Sequence, residues 1–244
     1  FKIHFHDETQ LTAREAATVA EIIYPHVTEF YDYEPKEKTH LILIDPDDYS
    51  NGAAYYYDNK IMIWASPLDF ELRGSHRWLQ NVITHEFAHI VSLQKSMKAG
   101  TQIPGAYFQL MNYEDEKRPD VLYGYPNTLI SYPIPGTNVP PWLAEGIAQF
   151  MYDDADWDNW DSHRDMILRD RVINNNMLTF TEMNTFGKKG IGNESTYNAG
   201  YALSTYISNI YGSEALSAIM EELSSPFQFS INNAIFNVIG VTGE

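Results

Sequence analysis

The stretch SHRWLQNVITHEFAHIVSLQKSM, Ser75 to Met97, decides how the rest of the chain is read. Leu79, Val82, Ile83, Phe87, Ile90 and Val91 recur at helical spacing and make one apolar stripe. Lys95 and Lys98 fall in the expected last turn and Gly100 follows, the signature of a helix end. Inside this helix stands His85-Glu86-Phe87-Ala88-His89, an HExxH motif. Side chains four apart share a helix face, so both imidazoles can reach one ion. Glu86 is beside that ion without having to ligate it. That is the arrangement for a metal-activated water with a carboxylate base. Two histidines left unpartnered among Val82, Ile83, Ile90 and Val91 would be costly, which favours a metal over a surface role.

Such a site needs a third protein ligand and an open position. The block Trp142-Leu143-Ala144-Glu145-Gly146-Ile147-Ala148 supplies Glu145, early in a second amphipathic helix and on a segment poor in charge. Glu114 and Glu116 compete as ligands, although Glu114 to Asp120 reads as a solvated loop. The other histidines, His4, His6, His26, His40, His76 and His163, have no ligand spacing beyond His4/His6. Those two share an expected strand face.

Outward from the motif, residues 1–6 alternate and read as a strand. Thr12 to Phe30 reads as a helix, with Thr12 and Glu15 spaced as a capping box. Leu41–Ile44 is a buried-strand signal, and Asp58-Asn59 offers a turn between Tyr55–Tyr57 and Ile61–Trp64. Residues 101–141 carry seven prolines and several tyrosines. A short helix over Ala106–Met111 and otherwise ordered loop are expected there, near the site. From Pro141 onward the reading is helical, with helices from Pro141 and over Ser162–Asn174, Ser195–Tyr211, Ser213–Ser224 and Phe229–Ile239. The expected fold is therefore α+β: an N-terminal mixed sheet on helices over 1–100, a Pro/Tyr-rich insertion over 101–141, and a helical part over 142–244.

Together, the HExxH and Trp-x-x-Glu-Gly-x-Ala segments resemble the gluzincin metallopeptidases. They are most similar to the peptidase MA-like domains found beside TolB-type β-propellers. Asn51-Gly52-Ala53-Ala54 and Ile61-Met62-Ile63-Trp64, similar to the family's Asn-Gly turn and following strand, and Tyr197-Asn198-Ala199-Gly200, similar to its Tyr-x-x-Gly segment, extend the resemblance. It implies a zincin-like fold with the site in a cleft between two lobes. His85, His89 and Glu145 would hold Zn2+, Glu86 would be the general base, and Tyr197 would stabilise the oxyanion, with Tyr201 its rival. It also implies that Ile61–Trp64 is an edge strand that pairs with extended peptide. Two features depart from the pattern. The gap from His89 to Glu145 is long, and Gln149 stands where thermolysin-like enzymes have an acidic residue supporting a ligand. Gln149 could accept from an imidazole N–H instead.

The expected activity is peptide-bond hydrolysis on a peptide or protein substrate. The family's exopeptidase strand motif is missing at Ile61–Pro67, which tilts the reading to an endopeptidase. An inactive or self-blocked module that binds a partner is the alternative. The chain has 244 residues, 44% hydrophobic, with 16 Lys+Arg against 33 Asp+Glu for a net charge of −17. That acidity opposes nucleic acid and anionic lipid, and no apolar run is long enough for a membrane span. No cysteine is present, so thiolate sites and disulfides are excluded and the ligands must be His and carboxylate. The start at Phe1 and the end at Val241–Glu244 read as cuts from a longer protein, extracytoplasmic and carrying a C-terminal β-propeller by the same resemblance.

Overall fold

Alternation builds the sheet. In the computed structural model, Leu41 and Leu43 on β2 (His40–Ile44) and Ile61 and Ile63 on β4 (Lys60–Ala65) are buried while their neighbours are only partly covered. With β1 (Lys2–His4) and β3 (Ser50–Tyr55) they form a four-stranded sheet in the order β1-β2-β4-β3. β1, β2 and β4 run parallel, and β3 lies antiparallel to β4 at the edge. The structure describes the chain except residues 47–48, 67–76, 117–118, 120–123, 155–161, 188–189 and 244; side chains at 152–154, 162–163 and 190–192 are also left aside. Ser75, His76 and Pro67 thus lie outside the described residues.

Seven α-helices are present among the described residues: α1 Gln10–Tyr31, α2 Trp78–Lys95, α3 Pro141–Asp154, α4 Ser162–Ile173, α5 Gly190–Tyr211, α6 Glu214–Ser224 and α7 Ile231–Ile239. The protein is a mixed α+β structure. α1 and α2 back the sheet, and α3, α5 and α6 continue the packing. One apolar core runs through all these layers and includes Tyr31, Leu41, Ile61, Phe87, Trp142, Leu216 and Ile235. α2 is its axle: fourteen of its residues are buried, far more than one stripe, because it is covered on several sides.

The two lysines after the α2 stripe do more than meet a helix dipole. Lys95 Nζ donates to Tyr31 O at the end of α1 (2.5 Å) and to Ser217 Oγ on α6 (3.2 Å). Lys98 Nζ donates to the carbonyls of Leu223, Ser225 and Gln228, at 2.6, 2.8 and 2.6 Å, in the last turn of α6 and just past it. Hydrogen bonds from a charged donor to carbonyls at helix ends are the stronger ones. Lys98→Met should therefore lower the unfolding free energy by about 2 kcal/mol, read as an earlier denaturation midpoint at unchanged slope.

Several local expectations are corrected. α1 starts at Gln10 after a 3-10 turn, Asp7–Thr9, so Thr12 and Glu15 lie inside the helix and form no capping box. α2 is capped at Ser96, and Gly100 (φ +115°) serves the following turn instead. Asn51-Gly52 is strand and not turn. β3 pairs with β4 from Ser50↔Ala65 to Tyr55↔Lys60, and the chain reverses through Tyr56–Asp58 and left-handed Asn59 (φ +49°). β4 is then interior, hydrogen-bonded to β2 and β3, and the edge is β3. Finally, Ala106–Met111 is not helical. β5 (Gly105–Tyr113) and β6 (Pro126–Pro135) form an antiparallel hairpin. A six-residue apolar run carries no decisive period, and its pairing with Leu129–Ile134 decides the matter. All nine residues of β5 and all ten of β6 are exposed, so the ribbon stands off the body.

Candidate metal centre

His85 and His89 lie one turn apart on α2, and Glu145 faces them from α3. The three donor atoms form a triangle: His85 Nε2 to His89 Nε2 is 3.0 Å, His85 Nε2 to Glu145 Oε2 is 3.0 Å, and His89 Nε2 to Glu145 Oε2 is 3.3 Å. The side chains are only 10–12% exposed. Four ligands at zinc-type bond lengths of about 2.0–2.1 Å in a tetrahedron stand about 3.3 Å from one another, so the triangle fits one face. The buried group of His85, His89 and Glu145 can hold a metal ion.

Electrostatics agrees with the geometry. Burial drives the Glu145 carboxyl upward, but the charge of His89 and the contacts with His85 and His89 outweigh it and hold Glu145 well below the usual carboxylate range. His89 is pushed down by burial, and the Glu145 and Glu86 charges more than reverse this. Glu86 is raised, chiefly by burial; the two histidines and a hydrogen bond from the Ala54 N–H pull the other way. That last bond places the β3 edge beside Glu86. Gly52 shows the same proximity, since a Cβ there would lie 2.5 Å from Val82 Cγ2 and 2.7 Å from Glu86 Oε1. Neither contact had a readable sequence signal beyond the glycine itself.

Tyr197 on α5 joins the group. Its ring stacks on His85, with centroids 6.2 Å apart and planes 13° from parallel, and lies 6.1 Å from the Phe186 ring at a 31° tilt. Its hydroxyl is hydrogen-bonded to Glu145; burial first, and then the Glu145 charge and that bond, push its pKa far up. It is thus a neutral donor. Tyr201, the rival, is buried in the apolar core. Glu114 and Glu116 sit at the far end of the hairpin from its root and are not part of the convergent group. Gln149 makes no bond to an imidazole: its Oε1 and His89 Nδ1 are both buried without a hydrogen-bond partner among the described residues. His4 and His6 do not form a pair either. β1 ends at His4, whose Nε2 lies 3.1 Å from His40 Nδ1 on β2.

Two glycines explain why the Glu145 and Tyr197 segments look the way they do. α3 crosses α5 at Gly146 and Gly200. A Cβ on Gly146 would meet the Gly200 carbonyl, and one on Gly200 would meet the Trp142 carbonyl. Trp142 is fully buried beside this crossing, with Nε1 donating to Asn184 Oδ1 at 3.1 Å. The close backbone approach brings Glu145 and Tyr197, on adjoining turns of the two helices, to the same histidines.

Compared with protein-family models, curated proteins and solved structures, the chain matches none. No described helix is long and apolar enough to cross a membrane.

Proposed function

We propose that this chain is a zinc-dependent peptidase of the gluzincin type, with a zincin-like fold and most simply an endopeptidase. The observation that carries the proposal is the buried His-His-Glu triangle with the Glu86 carboxylate alongside. A set of two imidazoles and one carboxylate suits zinc and leaves room for an open position. Zinc held there would supply Lewis acidity toward the scissile carbonyl and make water nucleophilic near neutral pH.

The rest of the chemistry falls to the chain. Glu86, raised by burial toward the working range of a base, takes a proton from the attacking water and returns it to the leaving amine. The Tyr197 hydroxyl donates to the oxygen on which charge develops. Extended substrate backbone adds to the β3 edge in place of β4, which the strand order makes interior. Both hairpin strands are exposed along their whole length and, among the described residues, pack chiefly on each other, which supports an open site over a self-blocked one.

The test is turnover of an unstructured protein such as casein, with zinc, without it, and with a chelator. Hydrolysis that tracks zinc supports the proposal; bound zinc with no cleavage of any peptide favours a binding module. Within it, Tyr197→Phe should lower kcat about 100-fold, close to 3 kcal/mol, with little change in KM. Tyr201→Phe should leave kcat in place, and equal losses from the two variants would remove the donor role.

A further inference from the structure

The β5–β6 ribbon is unlike the rest of the molecule. Neither strand carries a charged residue, in a chain of net charge −17. Large apolar side chains stand out on both faces, among them Tyr107 (72% exposed), Phe108 (68%) and Tyr132 (65%). The root is fixed: Lys98 N–H donates to Gly136 O, Gly136 N–H donates to Pro104 O, and Ser96 bonds Thr137. Above the root every residue of both strands is exposed, and a lone two-stranded ribbon is marginal in water.

Its two edges are not equivalent. The 104/136 pair is hydrogen-bonded, so the even-numbered β5 residues opposite it in the same register bond inward to β6. Tyr107, Gln109 and Met111 therefore turn their N–H and C=O groups outward. On β6 the corresponding outward positions include Pro133 and Pro135, which have no N–H to offer. β6 is a blocked edge and β5 is an open one. Prolines are a common means of protecting an edge, which makes the unprotected β5 edge notable.

We propose that β5 pairs antiparallel with β5 of a second copy of this chain, giving a four-stranded sheet β6-β5-β5-β6 across a twofold axis near Gln109. Centred there, Tyr107 of each copy faces Met111 of the other, and every residue brought to the seam belongs to the outward set. Glu114 then falls opposite the Pro104 end, so no acid meets its own copy. Pairing at this edge gives partners to the outward N–H and C=O groups of Tyr107, Gln109 and Met111 in both copies and sets Tyr107 beside Met111 as cross-strand neighbours at the seam. A lipid bilayer is the poorer occupant. Hydrocarbon leaves the outward N–H and C=O groups unmet, and the acidic body is repelled by anionic headgroups.

The test is sedimentation velocity on the whole chain across a concentration series. A dimer is expected that Gln109→Pro weakens about 100-fold or more, because it removes an outward donor and spares the ladder to β6. Ser131→Pro removes the opposite donor on the β6 edge and should leave the dimer intact. Independently of any variant, amide exchange at Tyr107, Gln109 and Met111 should slow as concentration rises. A chain monomeric at every concentration, a dimer indifferent to Gln109→Pro with exchange at those amides unchanged, or a monomer that floats with phosphatidylcholine vesicles would each overturn the proposal.

Discussion

Glu86→Gln should bind zinc as tightly as the parent chain and hydrolyse peptide about 100- to 10,000-fold more slowly. The substitution keeps shape and hydrogen-bond acceptance while removing proton acceptance. His85, His89 and Glu145 converge without any bond from Glu86, so the metal-holding triangle should survive. The buried carboxylate is also a charge that burial disfavours, and the amide relieves that cost. The variant should therefore be no less stable than the parent. A kcat split from metal content is the signature of a base; loss of both together would make Glu86 a ligand or a structural group. Zinc measured by elemental analysis beside a peptide assay distinguishes these outcomes.

Gly200→Ala should give the largest stability effect of a single methyl group. The added carbon meets the Trp142 carbonyl, which belongs to the backbone of α3 and has no rotamer to escape through. Overpacking against side chains costs about 1–3 kcal/mol, and a rigid backbone neighbour should bring the cost to about 3 kcal/mol or more. For a chain of this size that corresponds to a fall in Tm of about 6–12 °C. Because α3 must retreat, Glu145 should withdraw from His85 and His89, and zinc affinity should fall in the same variant. A melting temperature unchanged by Gly200→Ala would mean that the helices can separate freely and that the crossing does not set the site.

The sequence made the chemistry legible where spacing alone determines geometry. Four residues on a helix bring His85 and His89 to one face whatever the rest of the chain does, and HExxH therefore reads correctly as a convergent pair. Glu145 converges as expected, although no spacing rule connects it to α2. The Glu-Gly pair carried that information through Gly146, whose meaning is a helix crossing. Apart from the ends of α1 and α2, what failed was set by strand pairing. The Ala106–Met111 run became β5 because Leu129–Ile134 pairs with it, and Ile61–Trp64 became interior because β2 and β3 flank it on both sides. β6 and β2 lie far along the chain from the strands they meet, so a window misses them; β3 is the hairpin neighbour that the Asp58-Asn59 turn announces, and it is β2 that makes Ile61–Trp64 interior. His4 met His40 for the same reason: β1 and β2 are joined through a whole helix and lie side by side.

The central claim is that His85, His89 and Glu145 hold one zinc ion. The most direct measurement is anomalous X-ray scattering across the zinc absorption edge from crystals grown with zinc, compared between the parent chain and Glu145→Ala. The account predicts a single strong peak in the parent, at bonding distance from both Nε2 atoms and the Glu145 carboxylate, and its loss or marked weakening in the variant. A parent with no peak between α2 and α3, or a peak of equal strength after Glu145 is removed, would contradict it.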